Sequence, residues 1–366
     1  MSASHPKPIA ALARLLDAMP DPCSAPQTEQ LEGELARYFA VGHAVAVSSG
    51  TAALHCALAA LGIGPGDEVL VSAISVVMSV APVVYTGARP VFVDCDPGGT
   101  DFDYGDLEAK LSKATRCVMP VYLWGRAGDP VRLGEFAAAH GLWVVEDACQ
   151  AHGTRFDGRL LGTFGDLGCF STKDGKLLWS GEGGFIVTDD DDLAMRCRAF
   201  RTHWQAPPDG EAPLGQLGHN YRLSEPQAVI ARWNLARFDE LLTRRRRQAE
   251  LLAALLTDLP AVRLHRPRSR EEWNGYALVA LLNLPEPRNF STHLASLGVV
   301  NSVGTFGLVS ADLRSPFACH GPTPCPRAQA LIDATLALVL SEKYDDDRIH
   351  DIATIIAREV HPWVNR

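Results

Sequence analysis

The chain has 366 residues, 47% hydrophobic and 21% charged, a composition of ordinary soluble globular proteins and a length that suggests one large and one small domain. A disordered chain, a collagen-like or mucin-like repeat and a low-complexity tract are excluded. The net charge of −9 gives no general attraction to nucleic acid or to an anionic membrane, so neither is expected as a partner.

The N-terminal MSASHPKPIAALARLLDAMP lacks a charged start followed by a clean apolar core, and no run of 18 apolar residues occurs, so a cytoplasmic protein is expected. From residue 45 short apolar runs alternate with helical patterns. The expected strands are 44–47, 68–73, 89–94, 116–122, 142–147, 166–171 and 183–189, with helices at 51–61, 76–86, 104–112, 130–140 and 190–201. That alternation predicts an α/β fold, a mostly parallel sheet sandwiched by helices. A Pro- and Gly-rich stretch at 205–218 reads as a hinge, followed by a long interrupted amphipathic helix from SEPQAV to LLTDL whose basic run, Arg244 to Arg247, reads as solvated. The rest predicts a smaller α+β domain with a strand at YALVALLN, a helix at FSTHLASLG and a closing helix at DDRIHDIATIIAREV. The expected division is 1–240, with an N-terminal helical segment, and 241–366.

Nine cysteines, several inside apolar segments (Cys117, Cys169, Cys197), read as free thiols of a reducing compartment; their spacing offers no metal site.

Three segments carry chemistry. In VSSGTAALHCAL (47–58), Ser48, Ser49, Gly50 and Thr51 link a strand to a helix, a turn that either binds an anion or merely caps the helix. In LWVVEDACQAHG, Asp147 ends a strand, where it either caps a following helix or holds a cationic ring nitrogen, with Gln150 near a ring oxygen and His152 over a ring face. In GCFSTKDGKLLWSGEGG (168–184), Ser171 ends a strand and Lys173 and Lys176 follow, either as solvated lysines or as an amine nucleophile. Phosphate, pyridine nitrogen, phenolic oxygen and aldehyde are together the groups of pyridoxal phosphate.

In order and spacing, HAVAVSSGTAALHCALAALGIGPGDEVLVSA, GARPVFVDCDP, VEDACQAHG, GDLGCFSTKDGK, SGEGGFIVTDD and GHNYRLSEPQA resemble the DegT/DnrJ/EryC1/StrS aminotransferases over about residues 28–235. The resemblance implies the type I fold of pyridoxal-phosphate transferases. It implies that Lys176 is the Schiff-base lysine, Asp147 the partner of the pyridine nitrogen and Gln150 that of the phenolic oxygen. Gly50, Thr51 and Ser171 then hold the phosphate, joined by Asn220 from the neighbouring subunit of a homodimer. It further implies ping-pong transfer of an amino group from glutamate or glutamine to a keto sugar or cyclitol, in aminosugar or aminocyclitol antibiotic biosynthesis. Two rivals are a sugar dehydratase of the same family, whose branch carries histidine where Lys176 stands, and a non-catalytic cofactor-binding relative. The chain departs from the pattern at Val76, where a ring-stacking aromatic is usual, at Thr172-Lys173 in place of Phe-His, and at Trp204, where glycine commonly follows His203. Trp179, next to SGEGG, reads either as lining the entrance or as filling the core, and Tyr276 and Phe306 of the second domain are candidates for substrate contact; His203, His219, His293 and His320 read as surface or loop residues.

Overall fold

Short apolar runs, buried along nearly their whole length, build the central sheet of the computed structural model, which describes residues 7–17, 25–97, 99–203, 217–321 and 323–364. The strands are β1 (His43–Val47), β2 (Glu68–Ser72), β3 (Arg89–Val93), β4 (Thr115–Met119), β5 (Trp143–Asp147), the two-residue β6 (Arg155–Phe156) and β7 (Arg159–Leu160), β8 (Leu167–Ser171) and β9 (Gly184–Thr188). Seven of them pair in the order β1-β9-β8-β5-β4-β2-β3. From β3 to β8 every pairing is parallel. β9 runs antiparallel to both β8 and β1. A strand buried on both faces reads alike in either direction, and the helix-free link 172–183 lacks the crossover that a parallel β8–β9 pair would need.

Helices α1 (Ile9–Asp17), α2 (Pro26–Phe39), α3 (Gly50–Ala60), α4 (Val77–Tyr85), α5 (Tyr104–Ala109), α6 (Pro130–His140), α7 (Asp191–Arg201), α8 (Glu225–Ala236) and α9 (Phe238–Leu256) accompany the sheet. Asp103, Asp129 and Asp190 cap α5, α6 and α7 by accepting first-turn amide hydrogens. The period-2 geometry of β1 sends Val45 and Val47 into the layer with α3, and Ala44 and Ala46 into the layer with Leu35 of α2 and Ala231 of α8. α3 is apolar on almost all sides because it is enclosed by α4, α7 and the sheet.

The second sheet has β10 (Val262–Leu264), β12 (Ala277–Leu282) and β13 (Thr335–Val339) in antiparallel order, while β11 (Glu271–Glu272) pairs with β6 of the first segment. α10 (Pro287–Ser296), α11 (Pro326–Ala334) and α12 (Asp346–Val364) complete it. Leu252 and Leu256 of α9, Phe290 of α10 and Ile349, Ile356 and Trp363 of α12 share its core. The opposite face of β12, Ala277 and Val279, joins the α3 layer of the large sheet.

The long helix is interrupted at Arg237 (φ −112°, ψ 13°), between α8 and α9. Its basic run is not uniformly solvated as expected. Arg244 and Arg247 are exposed, but Arg245 is buried with Nη1 donating to the Leu340 carbonyl (2.7 Å), and Arg246 Nε donates to the Trp273 carbonyl (2.7 Å). Successive helical residues turn by about 100°, so four arginines in a row cannot all face water on a helix packed along one side. Most of the expected hinge, and Trp204, lie outside the described residues. Among the described residues no helix is long and apolar enough to cross a membrane.

Candidate functional site

The strand ends of the large sheet bring the three chemical segments together. Between β1 and α3, the Ser48 amide donates to the Tyr221 carbonyl (2.7 Å), Ser49 Oγ accepts from the Ala52 amide (3.0 Å) and the Ser49 carbonyl accepts from the Ala53 amide (3.0 Å). Ser49 is thus a helix cap, yet the first-turn amides of Gly50 and Thr51 stay at the positive end of α3, where an anion is favoured. Glycine at 50 is required by proximity: a Cβ there would lie 2.7 Å from Ser171 Cβ and 2.8 Å from Cys149 Sγ. One residue of the phosphate turn therefore touches both the strand end that carries Ser171 and the turn that follows Asp147.

Asp147 closes β5 at 4% exposure. Its amide donates to the Pro120 carbonyl (2.9 Å) and its Oδ1 accepts from the Cys149 amide (3.1 Å). No helix starts here; residues 148–151 form a turn closed by the Ala151 amide on the Ala148 carbonyl (2.8 Å), which removes the helix-cap reading. Gln150 Oε1 accepts from the Trp124 amide (2.7 Å), which leaves Nε2 as the free donor half of that side chain. Trp124 holds this position in the left-handed region, at φ 61°, a conformation of the kind that concentrates at functional sites.

His152 departs from its expected place over a ring face. It is buried against Phe170 (ring centroids 5.2 Å apart) and Phe185 (6.1 Å), with both ring nitrogens unpartnered. Burial first, and then the charge of Lys176, push its pKa down to about 3.

Beyond Ser171 the loop is folded on itself: the Thr172 amide donates to the Gly183 carbonyl (2.8 Å), and Thr172 Oγ1 and Ser180 Oγ lie 2.7 Å apart. Lys173 is exposed. Lys176 is half-buried, anchored by the buried Leu177 and Leu178 that follow it, and its Nζ lies 5.4 Å from the centroid of the Tyr276 ring.

Asn220 is exposed on a segment that bridges to Thr202 and whose next residue, Tyr221, holds Ser48. Val76 is a half-buried residue that precedes α4 and packs on the α3 layer. Of the two aromatics expected from the second segment, Tyr276 reaches Lys176, whereas Phe306 is 66% exposed. Trp179 packs edge-on against Trp233 (6.4 Å). His203 and His219 are exposed and His293 pairs with Glu359 (2.9 Å). Three residues of the site carry no signal of their role in the sequence. Trp124 and Asn274 belong to no motif, and Cys149, inside VEDACQAHG, reads there only as a small residue after the acidic pair.

The donor set fits pyridoxal phosphate. A helix N-terminus with a close-packed glycine and Ser171 suits the phosphate, a buried carboxylate suits a cationic pyridine nitrogen, and the loop that leaves Ser171 carries a half-buried amine, Lys176.

Comparison with known proteins agrees. The family model described as "DegT/DnrJ/EryC1/StrS aminotransferase family" matches residues 17–357. The chain is 40% identical to a dTDP-3-amino-3,4,6-trideoxy-alpha-D-glucose transaminase of Streptomyces venezuelae, over 98% of this chain and 92% of that protein. It is 42% identical to an L-glutamine:2-deoxy-scyllo-inosose aminotransferase of Streptomyces kanamyceticus, over 63% of this chain and 57% of that one. The structure of S. venezuelae DesV in complex with a ketimine intermediate superposes with a TM-score of 0.84 and 32% identity, over 98% of this chain and 94% of DesV. The chain belongs to the DegT/DnrJ/EryC1/StrS aminotransferase family and is a pyridoxal-phosphate-dependent aminotransferase of the type I fold.

Proposed function

We propose that this enzyme moves an amino group from glutamate or glutamine to the ketone carbon of a sugar or cyclitol, as a step in making an aminosugar or aminocyclitol of the antibiotic type. The observation that carries the reading is the convergence at Gly50 of the turn between β1 and α3, Ser171 and the turn after Asp147, with the half-buried Lys176 five residues beyond Ser171. The names of the S. venezuelae and S. kanamyceticus relatives support the substrate class, a nucleotide-linked sugar for one and a cyclitol for the other.

When bound, pyridoxal phosphate supplies an aldehyde that carries the nitrogen and a ring that accepts the electron pair of the substrate carbon. The amides of Gly50 and Thr51 and the hydroxyl of Ser171 would hold its phosphate. Asp147, fixed by the Cys149 amide, would hold the pyridine nitrogen in its protonated form, so that charge developing at the substrate carbon would be met by a preorganised partner. Gln150 Nε2 would donate to the phenolic oxygen. Lys176 Nζ would hold the cofactor at its aldehyde carbon between turnovers and, when free, would accept the proton of the substrate carbon and give it to that aldehyde carbon, on the far side of the transferred nitrogen. Asn220, exposed in a single chain, completes the phosphate site of the neighbouring subunit, which makes the homodimer the active unit. The chain divides near residue 240, the smaller part bringing Tyr276 to Lys176, and its buried free thiols suit the cytoplasm.

Incubation with glutamate should release 2-oxoglutarate, and a panel of keto sugars and cyclitols should then yield an amine. Borohydride should fix the cofactor to Lys176, and Lys176→Ala should lose both half-reactions. Turnover by Lys176→Ala, or label on another residue, would reject the assignment.

A further inference from the structure

Asn274 stands on the link between β11 and β12, far in sequence from the strand ends that hold the cofactor groups, and it is wholly buried. Three of the four hydrogen-bonding capacities of its amide are used, both N–H groups among them. Nδ2 donates to the Gln150 carbonyl (2.8 Å) and to the His152 carbonyl (3.1 Å), while Oδ1 accepts from the Tyr276 amide (2.9 Å). One side chain therefore ties the turn that carries Gln150 to the residue whose ring faces Lys176.

The surroundings are shaped for this contact. Gly125 has φ +75°, and a Cβ on it would overlap Asn274 Oδ1 and lie 2.8 Å from the Gln150 carbonyl. Gly275 has φ +72°, and its Cβ would lie 2.8 Å from the Arg245 carbonyl of α9. Trp124, immediately before Gly125, gives its amide to Gln150 Oε1, accepts the Trp273 indole on its carbonyl (3.3 Å) and anchors its own indole on Ser302 Oγ (2.8 Å). The backbone of Gln150 is thus held by Asn274 and its side chain by Trp124.

We propose that Asn274 is a positioning residue: by holding the Gln150 and His152 carbonyls in register with Tyr276, it sets where the Gln150 amide points. The proposal rests on the reading that Gln150 Nε2 donates to the phenolic oxygen of pyridoxal phosphate. Asn274→Asp keeps the volume and the acceptor for the Tyr276 amide but turns a carboxylate oxygen toward two carbonyls, and Asn274→Ser withdraws the amide altogether.

The test uses the holoenzyme and reads the visible band of the bound cofactor, its pH midpoint and the cofactor dissociation constant, with thermal unfolding alongside. Gln150→Ala should shift the midpoint and weaken binding about ten-fold, the loss expected for one hydrogen bond. Asn274→Asp and Asn274→Ser should shift the midpoint in the same direction, and either should add nothing further in the Gln150→Ala background. If Gln150→Ala moves the midpoint and the Asn274 variants lower only the unfolding temperature, the proposal is overturned while the Gln150 reading stands. If Gln150→Ala moves nothing, the Gln150 reading fails and takes the proposal with it. If neither Asn274 variant folds, the residue belongs to the scaffold and the positioning role is rejected.

Discussion

Gly50→Ala perturbs the point on which the site converges. The added methyl would start 2.7 Å from Ser171 Cβ and 2.8 Å from Cys149 Sγ, against the 3.4 Å at which ordinary contact begins, so Ser171 would have to retreat by about 0.7 Å or α3 move away by as much. Overpacking of this kind costs about 1–3 kcal/mol, and Gly50, as the first residue of α3, gains little from the preference for alanine over glycine inside helices. The net loss of stability is then about 1–3 kcal/mol, small enough for the variant to fold. Cofactor affinity should suffer too. A hydroxyl displaced by about 0.7 Å no longer makes a hydrogen bond of normal length to a phosphate oxygen, and losing one such bond to a charged group costs about 1.5–3 kcal/mol, a rise in dissociation constant of about 10- to 150-fold. Spectrophotometric titration of the apoenzyme with pyridoxal phosphate measures this directly. Ser171→Ala serves as the control, since it removes the same hydroxyl without the clash and should weaken binding to a similar degree with less effect on apoenzyme unfolding. Wild-type affinity in Gly50→Ala would show that the turn and Ser171 do not act on one phosphate, and the convergence at Gly50 would lose its functional meaning.

The dimer and the buried histidine give further expectations. Chains carrying Asn220→Ala and chains carrying Lys176→Ala, co-expressed, should form hybrid dimers in which one of the two sites has both residues intact, restoring about a quarter of wild-type sites by random pairing; activity no greater than the sum of the parents would place Asn220 in its own subunit's site. His152 is held neutral, its pKa lowered from 6.5 to about 3. Because the folded value lies below the unfolded one, the unfolded chain binds the extra proton, and stability is lost as pH falls from about 6.5 toward 3. His152→Leu should therefore flatten the acid limb of the stability profile, by about 3 kcal/mol between pH 6.5 and pH 4 in chemical denaturation. An unchanged acid limb would show that His152 takes up its proton without unfolding.

Much of the site is legible in the sequence because the parallel strands of an α/β sheet carry their functional residues at one edge. Residues 47–51, 147–150 and 171–176 each follow a run of buried strand, so hydrophobic period and small-residue turns are enough to locate them. Direction is less readable than position. β9 has the same buried composition as the mutually parallel strands of the sheet, and only the absence of a crossover helix in 172–183 betrays its reversal. The Arg244–Arg247 run misleads for a related reason: charge predicts solvent for each residue singly, but the packed side of α9 offers Arg245 and Arg246 the carbonyls of Leu340 and Trp273.

What stays illegible is the set of contacts that cross between distant segments. Nothing in WNGY at 273–276 shows that Asn274 fills the space left by Gly125 or that Gly275 lies against the α9 backbone. Trp124 is core, and its left-handed backbone, which aims one amide at Gln150, is accompanied by the indole's anchor on Ser302 and the approach of Trp273, both contributed by the second segment. A local pattern names the groups that can meet a cofactor, while their orientation is set by side chains that become neighbours only after folding. Val76 shows the same limit from the other side. The substitution itself is plain in the sequence, but only the structure shows that the half-buried aliphatic residue there packs on the α3 layer, while the ring facing Lys176, Tyr276, is brought from the second segment.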